Sequence, residues 1–430
     1  MARDFSAFDD DPPGDDHGDD HGDDGRDTLA FGRRSARIPL IIAALAALAG
    51  VIFAATSTAD FVAHLDRQVH DIHCSVVPGA EAVRGESGCR TVMLSPYSSW
   101  FRQDYWGGVP VALFAMSVFV FLAYRAGALA VRKDPRKGEV FFLAAGMFLP
   151  VLMSIIYGYL ASVKVGATCT VCVGMYWSSG IGFVAALVAF FLVRDFEPDP
   201  KRVGRFFIDF AEGCAFVLAM FLIYLAFVPE VEAKAGRGPA GCGTLVEPGD
   251  PTGIMIDIAP RPGGAPTIEL LDPLCPACRG FDERLAVSGL ADKLDMKAVL
   301  FPLDSTCNWM VKSSLHPGAC AVTEAMLCDR AAAPKILKWA FANQDALLEQ
   351  ARKDEPGVRA RIVQEFPGVA GCLGTPQAKN HVVRSLRWAV ANALPVLTPQ
   401  VFVKGKRMCD EDTDLGLEFT LARMLEGGAK

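Results

Sequence analysis

Five long apolar runs constrain the fold of this chain more than any other feature of its sequence. They cover residues 38–56, 109–126, 140–161, 172–193 and 206–228. A helix of about 20 apolar residues spans the hydrocarbon core of a bilayer. The first run lies too far from the N-terminus, and lacks the small-residue cleavage site, to be a signal peptide. The sequence therefore predicts a polytopic α-helical membrane protein.

Basic residues predict the orientation of these spans, because Lys and Arg concentrate in cytoplasmic segments. They cluster before the first span, after the second and between the fourth and fifth, at Arg33, Arg34, Arg37, Arg125, Arg132, Lys133, Arg136, Lys137, Arg194, Lys201, Arg202 and Arg205. The loops 57–108 and 162–171 contain few basic residues for their setting, which predicts that they face out. Everything after the fifth span is expected on that same side. We therefore expect the N-terminus in the cytoplasm and the C-terminal region outside it.

The chain has 13 cysteines, and this topology places twelve of them on the extracytoplasmic side, where disulfides persist. The exception is Cys214 inside the fifth span, for which a small buried apolar residue is the simplest interpretation. Six of the outer cysteines suggest structural disulfides whose pairing the sequence leaves open: Cys242, Cys307, Cys320, Cys328, Cys372 and Cys409. His316 near Cys320 is interpreted as a surface or capping residue.

Two segments are not expected to form a core. Residues 1–33 are rich in Asp and Gly, which predicts a disordered acidic tail in the cytoplasm. His17 and His21 leave a metal-binding tail as an alternative interpretation of it. Residues 231–264 are rich in Gly, Pro and Ala, which is typical of a linker.

From residue 265 the pattern is that of a soluble α/β domain. Residues 267–271 and 296–301 are predicted strands, with a helix between them that begins at a Cys-Pro-Ala-Cys motif. Helical patterns fill residues 309–390, and a hairpin at 400–407 precedes a final helix over 413–426. This order predicts a thioredoxin-like fold over 265–430 with a helical insertion.

The motif Cys275-Pro276-Ala277-Cys278 is a candidate redox centre. A cysteine at a helix N-terminus faces unpaired N–H groups and the positive end of the helix dipole, which favours its thiolate. Cys275 would then be the nucleophile and Cys278 the resolving thiol, while Pro276 suits the first helical turn. Half of a structural zinc site is the alternative, although this domain has no second pair at metal-ligand spacing.

The residues around this motif resemble the periplasmic Dsb-type branch of the thioredoxins. The resemblance rests on Asp272-Pro-Leu-Cys-Pro-Ala-Cys278 and on Thr398-Pro399. It implies a cis peptide at Thr398-Pro399 that faces the motif and receives the substrate backbone. Disulfide oxidases and isomerases both remain compatible with these residues.

A second Cys-x-x-Cys pair, Cys169 and Cys172, lies where the fourth span meets the outer face. A dithiol at this depth can meet a quinone headgroup. Tyr176 follows one helical turn after Cys172 on the same face. Its phenol could donate a hydrogen bond to a quinone carbonyl. Tyr176 and Trp177 could equally be ordinary interfacial aromatics.

Residues 38–193 resemble the vitamin K epoxide reductase (VKOR) family. The resemblance rests on Cys169-Thr-Val-Cys-Val-Gly-Met-Tyr176, on Cys89-Arg-Thr-Val-Met-Leu-Ser95 and on Gly108-Val-Pro110. It implies a four-helix bundle over 34–196 around a quinone contacted by Tyr176 and Ser95, with residues 197–230 as an additional span. Cys74 and Cys89 would be the loop pair that shuttles electrons, although the family spaces these cysteines more closely.

Together these features predict a membrane enzyme that generates disulfide bonds in secreted or periplasmic proteins. Electrons would pass from substrate thiols to Cys275 and Cys278, then to Cys74 and Cys89, then to Cys169 and Cys172, and finally to ubiquinone or menaquinone. The bacterial inner membrane is the expected location. The alternatives are a reductase or isomerase that sends electrons outward, and a membrane-anchored thiol metal chaperone. No metal cofactor is expected, and the negative formal charge of −7 argues against nucleic acid as a partner.

Overall fold

The computed structural model describes residues 24–66, 71–75, 88–133, 135–193, 202–227 and 242–426, with side chains from Ala36 onward and, in the fifth long helix, from Gly204. Six helices occupy the first half of the chain: α1 Asp24–Ala63, α2 Gly88–Met93, α3 Val111–Val131, α4 Lys137–Tyr159, α5 Thr170–Leu192 and α6 Arg202–Phe227. All but α2 are long and apolar enough to cross a membrane. The five predicted spans are thereby confirmed.

Two short features connect the long helices. Strands β1 (Ser99–Trp100) and β2 (Val109–Pro110) pair antiparallel just before α3. Helix α4 continues as a π-helical turn over Leu160–Val165. It ends at Gly166, whose φ of 69° is left-handed and suits glycine.

The described residues separate into two compact units. One comprises residues 1–50, 118–154 and 176–216, and the other comprises 51–117, 155–175 and 217–430. The first unit packs through close contacts of small residues, such as Gly182 against Met147. It also contains an ion pair between Arg125 and Asp209 at 2.8 Å, in which both side chains are largely buried.

The second unit contains a five-stranded sheet with strand order β3-β5-β4-β6-β7. Its strands are β3 Ile256–Ala259, β4 Ala265–Leu271, β5 Leu294–Leu300, β6 Gln400–Val403 and β7 Lys406–Arg407. Only β4 and β5 pair in parallel, with Thr267 opposite Met296, and helix α7 (Pro276–Val287) connects them. This is the predicted thioredoxin-like arrangement.

The helical insertion lies between β5 and β6, as predicted. It consists of α8 Ala319–Cys328, α9 Ala333–Ala342, α10 Gln344–Lys353, α11 Glu355–Glu365 and α12 Pro376–Ala391. Helix α8 is buried on every side, whereas α9, α10 and α12 each bury one face. The last helix, α13 (Leu417–Glu426), packs against Phe281 and Leu285 of α7.

Three sequence interpretations differ from the structure. The disordered tail is predicted over 1–33, but α1 begins at Asp24, and residues 1–23 lie outside the described part of the chain. The linker is predicted over 231–264, but Cys242 is bonded to Cys409 and β3 pairs with β5, so residues 242–264 belong to the sheet domain, while 231–241 lie outside the described residues. Cys214 is exposed on the surface of α6 instead of buried.

Candidate functional site

Cys74 and Cys89 form a disulfide in the loop between α1 and α3, with their Cα atoms 5.7 Å apart. Cys89 is buried in the short helix α2, and Cys74 is half-buried in the segment 71–75. The residues between 75 and 88 lie outside the described part of the chain. The unusual spacing of this pair is thus compatible with an ordinary disulfide.

This disulfide lies directly against the membrane pair Cys169 and Cys172, which are also joined to each other. The hydroxyl oxygen of Thr170 is 3.4 Å from the sulfur of Cys74 and 3.5 Å from that of Cys89. Thr170 is the first residue of α5 and lies between the two cysteines of its own motif. The two disulfides are therefore neighbours, and sequence reasoning missed the residue that lies between them.

Glycine at position 88 permits this close approach. A Cβ atom on Gly88 would overlap the carbonyl oxygen of Thr168, so any side chain at this position would push α2 away from the start of α5. Cys89 and Cys169 are both buried in one apolar cluster with Phe61 and Leu65. One cysteine of each disulfide is thus buried among apolar side chains, and its partner is half-buried.

A second missed contact fixes the residue before Cys74. Asp60 of α1 accepts hydrogen bonds from the backbone N–H of His73 at 2.9 Å and pairs with its Nδ1 at 2.7 Å. Asp60 is buried and His73 is exposed. These bonds hold the Cys74 segment to the end of the first long helix.

The two residues predicted to contact a quinone lie in different surroundings. Tyr176 is half-buried in α5, four residues after Cys172 in the same helix, and Trp177 beside it is largely exposed. Ser95 is buried after α2, and its hydroxyl donates a hydrogen bond to the carbonyl of Val92 at 2.7 Å. The hydroxyl of Ser95 is thus already engaged with the backbone, whereas its oxygen can still accept a bond.

The redox motif Cys275-Pro276-Ala277-Cys278 has the geometry that its sequence predicts. Cys275 is the N-cap of α7 with extended backbone angles, and Pro276 occupies the first turn. Both thiols are free and buried, in contrast to the ten disulfide-bonded cysteines of the described chain. The peptide between Thr398 and Pro399 is cis, as the resemblance implies. The carbonyl oxygen of Thr398 is 3.6 Å from the sulfur of Cys275.

The two thiols differ strongly in acidity. A hydrogen bond from the Cys278 thiol lowers the pKa of Cys275 to about 6 despite its burial. Burial raises the pKa of Cys278 well above its usual value, and the neighbouring Cys275 adds to this effect. At neutral pH Cys275 is thus the thiolate nucleophile and Cys278 is a protonated thiol.

Buried carboxyl groups surround this centre. Glu269 of β4 is fully buried, and burial raises its pKa, with the charges of Asp282 and Cys275 adding to the effect. Asp272, three residues before Cys275, is also buried and accepts the N–H groups of Leu274 and Leu303. The charge of Glu269 also contributes to the raised pKa of Cys278.

His316 is neither a surface residue nor a cap, in contrast to the sequence interpretation. Its Nδ1 lies 2.7 Å from a carboxylate oxygen of Asp272, and its side chain is only 14% exposed. Burial alone would lower the pKa of His316, but the hydrogen bond and charge of Asp272 outweigh it and raise that pKa. The signal missed in the sequence is Asp272 itself, which needs a buried partner.

The remaining cysteines form three disulfides: Cys242–Cys409, Cys307–Cys320 and Cys328–Cys372. The structural interpretation of these six residues is confirmed, and their pairing is now resolved. One cluster of potential metal ligands in the described chain contains Cys242, Cys409 and Glu411. Because both thiols are in a disulfide, this cluster does not have the thiolates that a soft metal prefers.

Comparison with known proteins gives two matches. Residues 41–187 match the sequence model of the "Vitamin K epoxide reductase family". The crystal structure of the oxidoreductase DsbA from Xylella fastidiosa is similar at 19% identity and a TM-score of 0.28, covering 41% of this chain and 96% of that one. No curated protein matches the chain.

Proposed function

We propose that this chain, a membrane thiol–disulfide oxidoreductase whose residues 41–187 form a VKOR domain, generates disulfide bonds in secreted proteins and passes the electrons to a quinone. Substrate thiols reduce the disulfide form of Cys275 and Cys278, and the resulting dithiol reduces the pair Cys74 and Cys89. That pair reduces Cys169 and Cys172, which reduce ubiquinone or menaquinone. The domains proposed are a bundle over 34–196, a linking span over 197–230 and a thioredoxin-like domain that begins near Cys242.

The observation that carries this proposal is the position of Thr170 between two disulfides. Its hydroxyl lies within 3.5 Å of both sulfurs of the Cys74–Cys89 pair. Thiol–disulfide exchange needs direct contact between the attacking sulfur and the disulfide. A loop disulfide in this position needs only a small movement to reach Cys169.

Each step of the relay conserves electrons and protons. The thiolate of Cys275 attacks one sulfur of the Cys74–Cys89 disulfide, which releases the other as a thiolate. Cys278 then attacks Cys275, forming the Cys275–Cys278 disulfide and leaving the loop pair as a dithiol. The loop pair reduces Cys169 and Cys172 in the same way. The quinone accepts two electrons and two protons, and Tyr176 and Ser95 are proposed to contact its polar atoms.

The test is quinone reduction by the purified full-length protein in detergent. A reduced cysteine-containing peptide and ubiquinone or menaquinone are supplied without oxygen, and the quinone absorbance is followed. We expect Cys172→Ala to abolish the reaction. Cys214→Ala is the matched control, because this thiol is free, exposed and outside all three pairs. Full activity of Cys172→Ala would overturn the proposal.

The reductase alternative requires electrons from the cytoplasm. In the proposed orientation no cysteine of the sequence lies in a cytoplasmic segment, so no thiol on that side could supply them. The same assay distinguishes the two directions, because a reductase would show no net reduction of quinone.

A further inference from the structure

The thioredoxin-like domain contacts the loop between α1 and α3 through a surface that does not include its redox motif. In this docking surface, Arg102, Gln103 and Trp106 of the loop meet Ser288, Asp412, Leu415, Glu418 and Phe419 of the domain. All of these residues belong to the same compact unit. Its position decides whether Cys275 can reach the Cys74–Cys89 disulfide in this arrangement.

Three polar contacts and the apolar residues Leu415 and Phe419 build this surface. The indole N–H of Trp106 donates to a carboxylate oxygen of Asp412 at 2.7 Å. Arg102 pairs with Glu418 at 3.0 Å. The amide of Gln103 donates to the carbonyl of Ser288 at 3.2 Å. Leu415 is 4% exposed and packs in the apolar cluster that contains Cys89.

These contacts are well enough buried to be specific. The side chain of Glu418 is 3% exposed and that of Arg102 is 16% exposed. Separating a largely buried pair by substitution leaves an unpaired charge, which is costly. Gly416 gives the indole of Trp106 room, since a Cβ atom there would overlap the ring. The surface is therefore a fitted interface and not a chance approach of two loops.

The docking surface lies at the wrong end of α7 for electron transfer. Ser288 follows the last residue of α7, and Cys275 immediately precedes the first. A helix of this length separates its two ends by about 18 Å. Leu417 of α13 packs with Phe281 and Leu285 in the later turns of α7. Cys275 is buried in a different core cluster, together with residues of the helical insertion.

The face around the redox motif stays open in this arrangement. Leu397, next to Thr398, is 37% exposed, and Leu315, next to His316, is 62% exposed. Exposed apolar side chains beside a nucleophilic thiol suit an unfolded polypeptide with reduced cysteines. Although Cys275 itself is buried, exposed apolar side chains thus lie around the motif, on the part of the domain opposite the docking surface.

We infer that the docking surface holds the domain in a substrate-accepting position and must separate before Cys275 can attack the Cys74–Cys89 disulfide. This inference rests on the proposed relay. The occupant of the loop surface is the first turn of α13 with the residues just before it. Release of Leu415 would also uncover the apolar cluster around Cys89, giving the incoming thiolate access to the loop pair.

The test traps the transfer intermediate and measures the docking surface in it. Full-length protein with Cys89→Ala and Cys278→Ala retains Cys74 and Cys275, which oxidation joins as a mixed disulfide; Cys74→Ala with Cys278→Ala is the reciprocal variant. Hydrogen exchange is compared between the trapped and the reduced form of each variant. We expect residues 102–108 and 410–418 to exchange roughly tenfold faster or more in the trapped form. Strand β4 serves as the control and should stay protected.

Unchanged protection of both segments in the trapped form would overturn the inference while leaving the relay intact. Failure of both variants to form the mixed disulfide would instead overturn the relay, and the inference with it. A second test uses the charge reversal Arg102→Glu, which should speed exchange at 410–418 in the reduced form. Adding Glu418→Arg should restore protection if this ion pair holds the domain.

Discussion

The pair formed by Asp272 and His316 controls the charge next to the nucleophile. A buried carboxylate three residues before Cys275 repels its thiolate and raises its pKa. His316 lies 2.7 Å from that carboxylate and, when protonated, offsets its charge. Asp304, also buried, is a further acidic group whose charge favours the imidazolium. The protonation of a histidine from the helical insertion is thereby linked to the reactivity of a cysteine in α7.

Replacing His316 by Gln should raise the pKa of the Cys275 thiol. Gln keeps a hydrogen-bond donor for Asp272 but loses the positive charge. In the wild-type protein the rate of alkylation of Cys275 by iodoacetamide should rise through about pH 6 and then level off. In His316→Gln the same curve should move to higher pH. Mass spectrometry of full-length reduced protein between pH 4 and pH 9 measures both curves.

His381→Gln is the matched control, because this histidine also lies in the helical insertion but burial lowers its pKa. An identical curve for His316→Gln and wild type would contradict the linkage. Folding stability gives the sign independently. Because the pKa of His316 is raised in the folded state, the protonated imidazole stabilises the fold. This stabilisation is fully present below about pH 6.5 and is lost as the pH rises through the folded-state pKa.

At the scale of elements, sequence pattern and spacing predicted the features that neighbouring residues determine. The five spans follow from apolar length alone, and the N-terminal position of Cys275 on α7 follows from its proline and from the strand before it. Contacts between distant segments could not be predicted in this way. Thr170 meets Cys74 across 96 residues, and His316 meets Asp272 across 44. Neither pair leaves a periodic signal in the sequence.

The strand β3 shows the same limit within an element. Its sequence Ile-Asp-Ile-Ala is short and follows a Gly- and Pro-rich segment, so composition favoured a linker. Pairing with β5 and the disulfide between Cys242 and Cys409 decide otherwise. Both depend on residues that are far away in the sequence. Composition reports the local preference of a segment, whereas strand formation also depends on pairing with a distant segment.

The disulfide between Cys307 and Cys320 is expected to hold His316 in position beside the redox motif. It joins the loop after β5 to the start of α8, on either side of His316. Replacing both cysteines by Ala should lower the free energy of unfolding of this domain by about 3 kcal/mol, from the entropy of a short closed loop. It should also slow alkylation of Cys275 at pH 7, because His316 loses its fixed position.

The matched control is the Cys328–Cys372 disulfide, which joins the end of α8 to the loop before α12. Its removal should cost a similar amount of stability, about 4 kcal/mol for the longer loop. It should leave the pH dependence of Cys275 alkylation unchanged. Thermal unfolding followed by circular dichroism measures the first effect, and alkylation measures the second. Equal alkylation in both variants would show that the first disulfide supports stability only.

At the scale of the whole molecule, the cysteines divide into two classes that their surroundings explain. Three disulfides fasten the sheet domain and its insertion. Three further pairs carry the proposed relay, and of these only Cys275 and Cys278 are reduced. For two-electron couples, about 30 mV corresponds to roughly 1.4 kcal/mol, so small differences in potential suffice to order the pairs. Because such differences are small, the order of the pairs is tested more directly by blocking one pair than by measuring potentials.

Without a functional Cys74–Cys89 pair, electrons should reach Cys275 and Cys278 but not Cys169 and Cys172. In Cys74→Ser protein without oxygen or quinone, an excess of reduced peptide should reduce Cys275 and Cys278 while Cys169 and Cys172 stay joined. In wild-type protein the same peptide should reduce all three pairs, and the three structural disulfides should survive in both. Differential alkylation with mass spectrometry counts the thiols, with Cys214 as the constant internal standard. Reduction of Cys169 and Cys172 in Cys74→Ser protein would mean that electrons reach the membrane pair without the loop disulfide, by attack of Cys275, of the peptide or of the remaining Cys89 thiol, and the double variant Cys74→Ser with Cys89→Ser excludes the last of these.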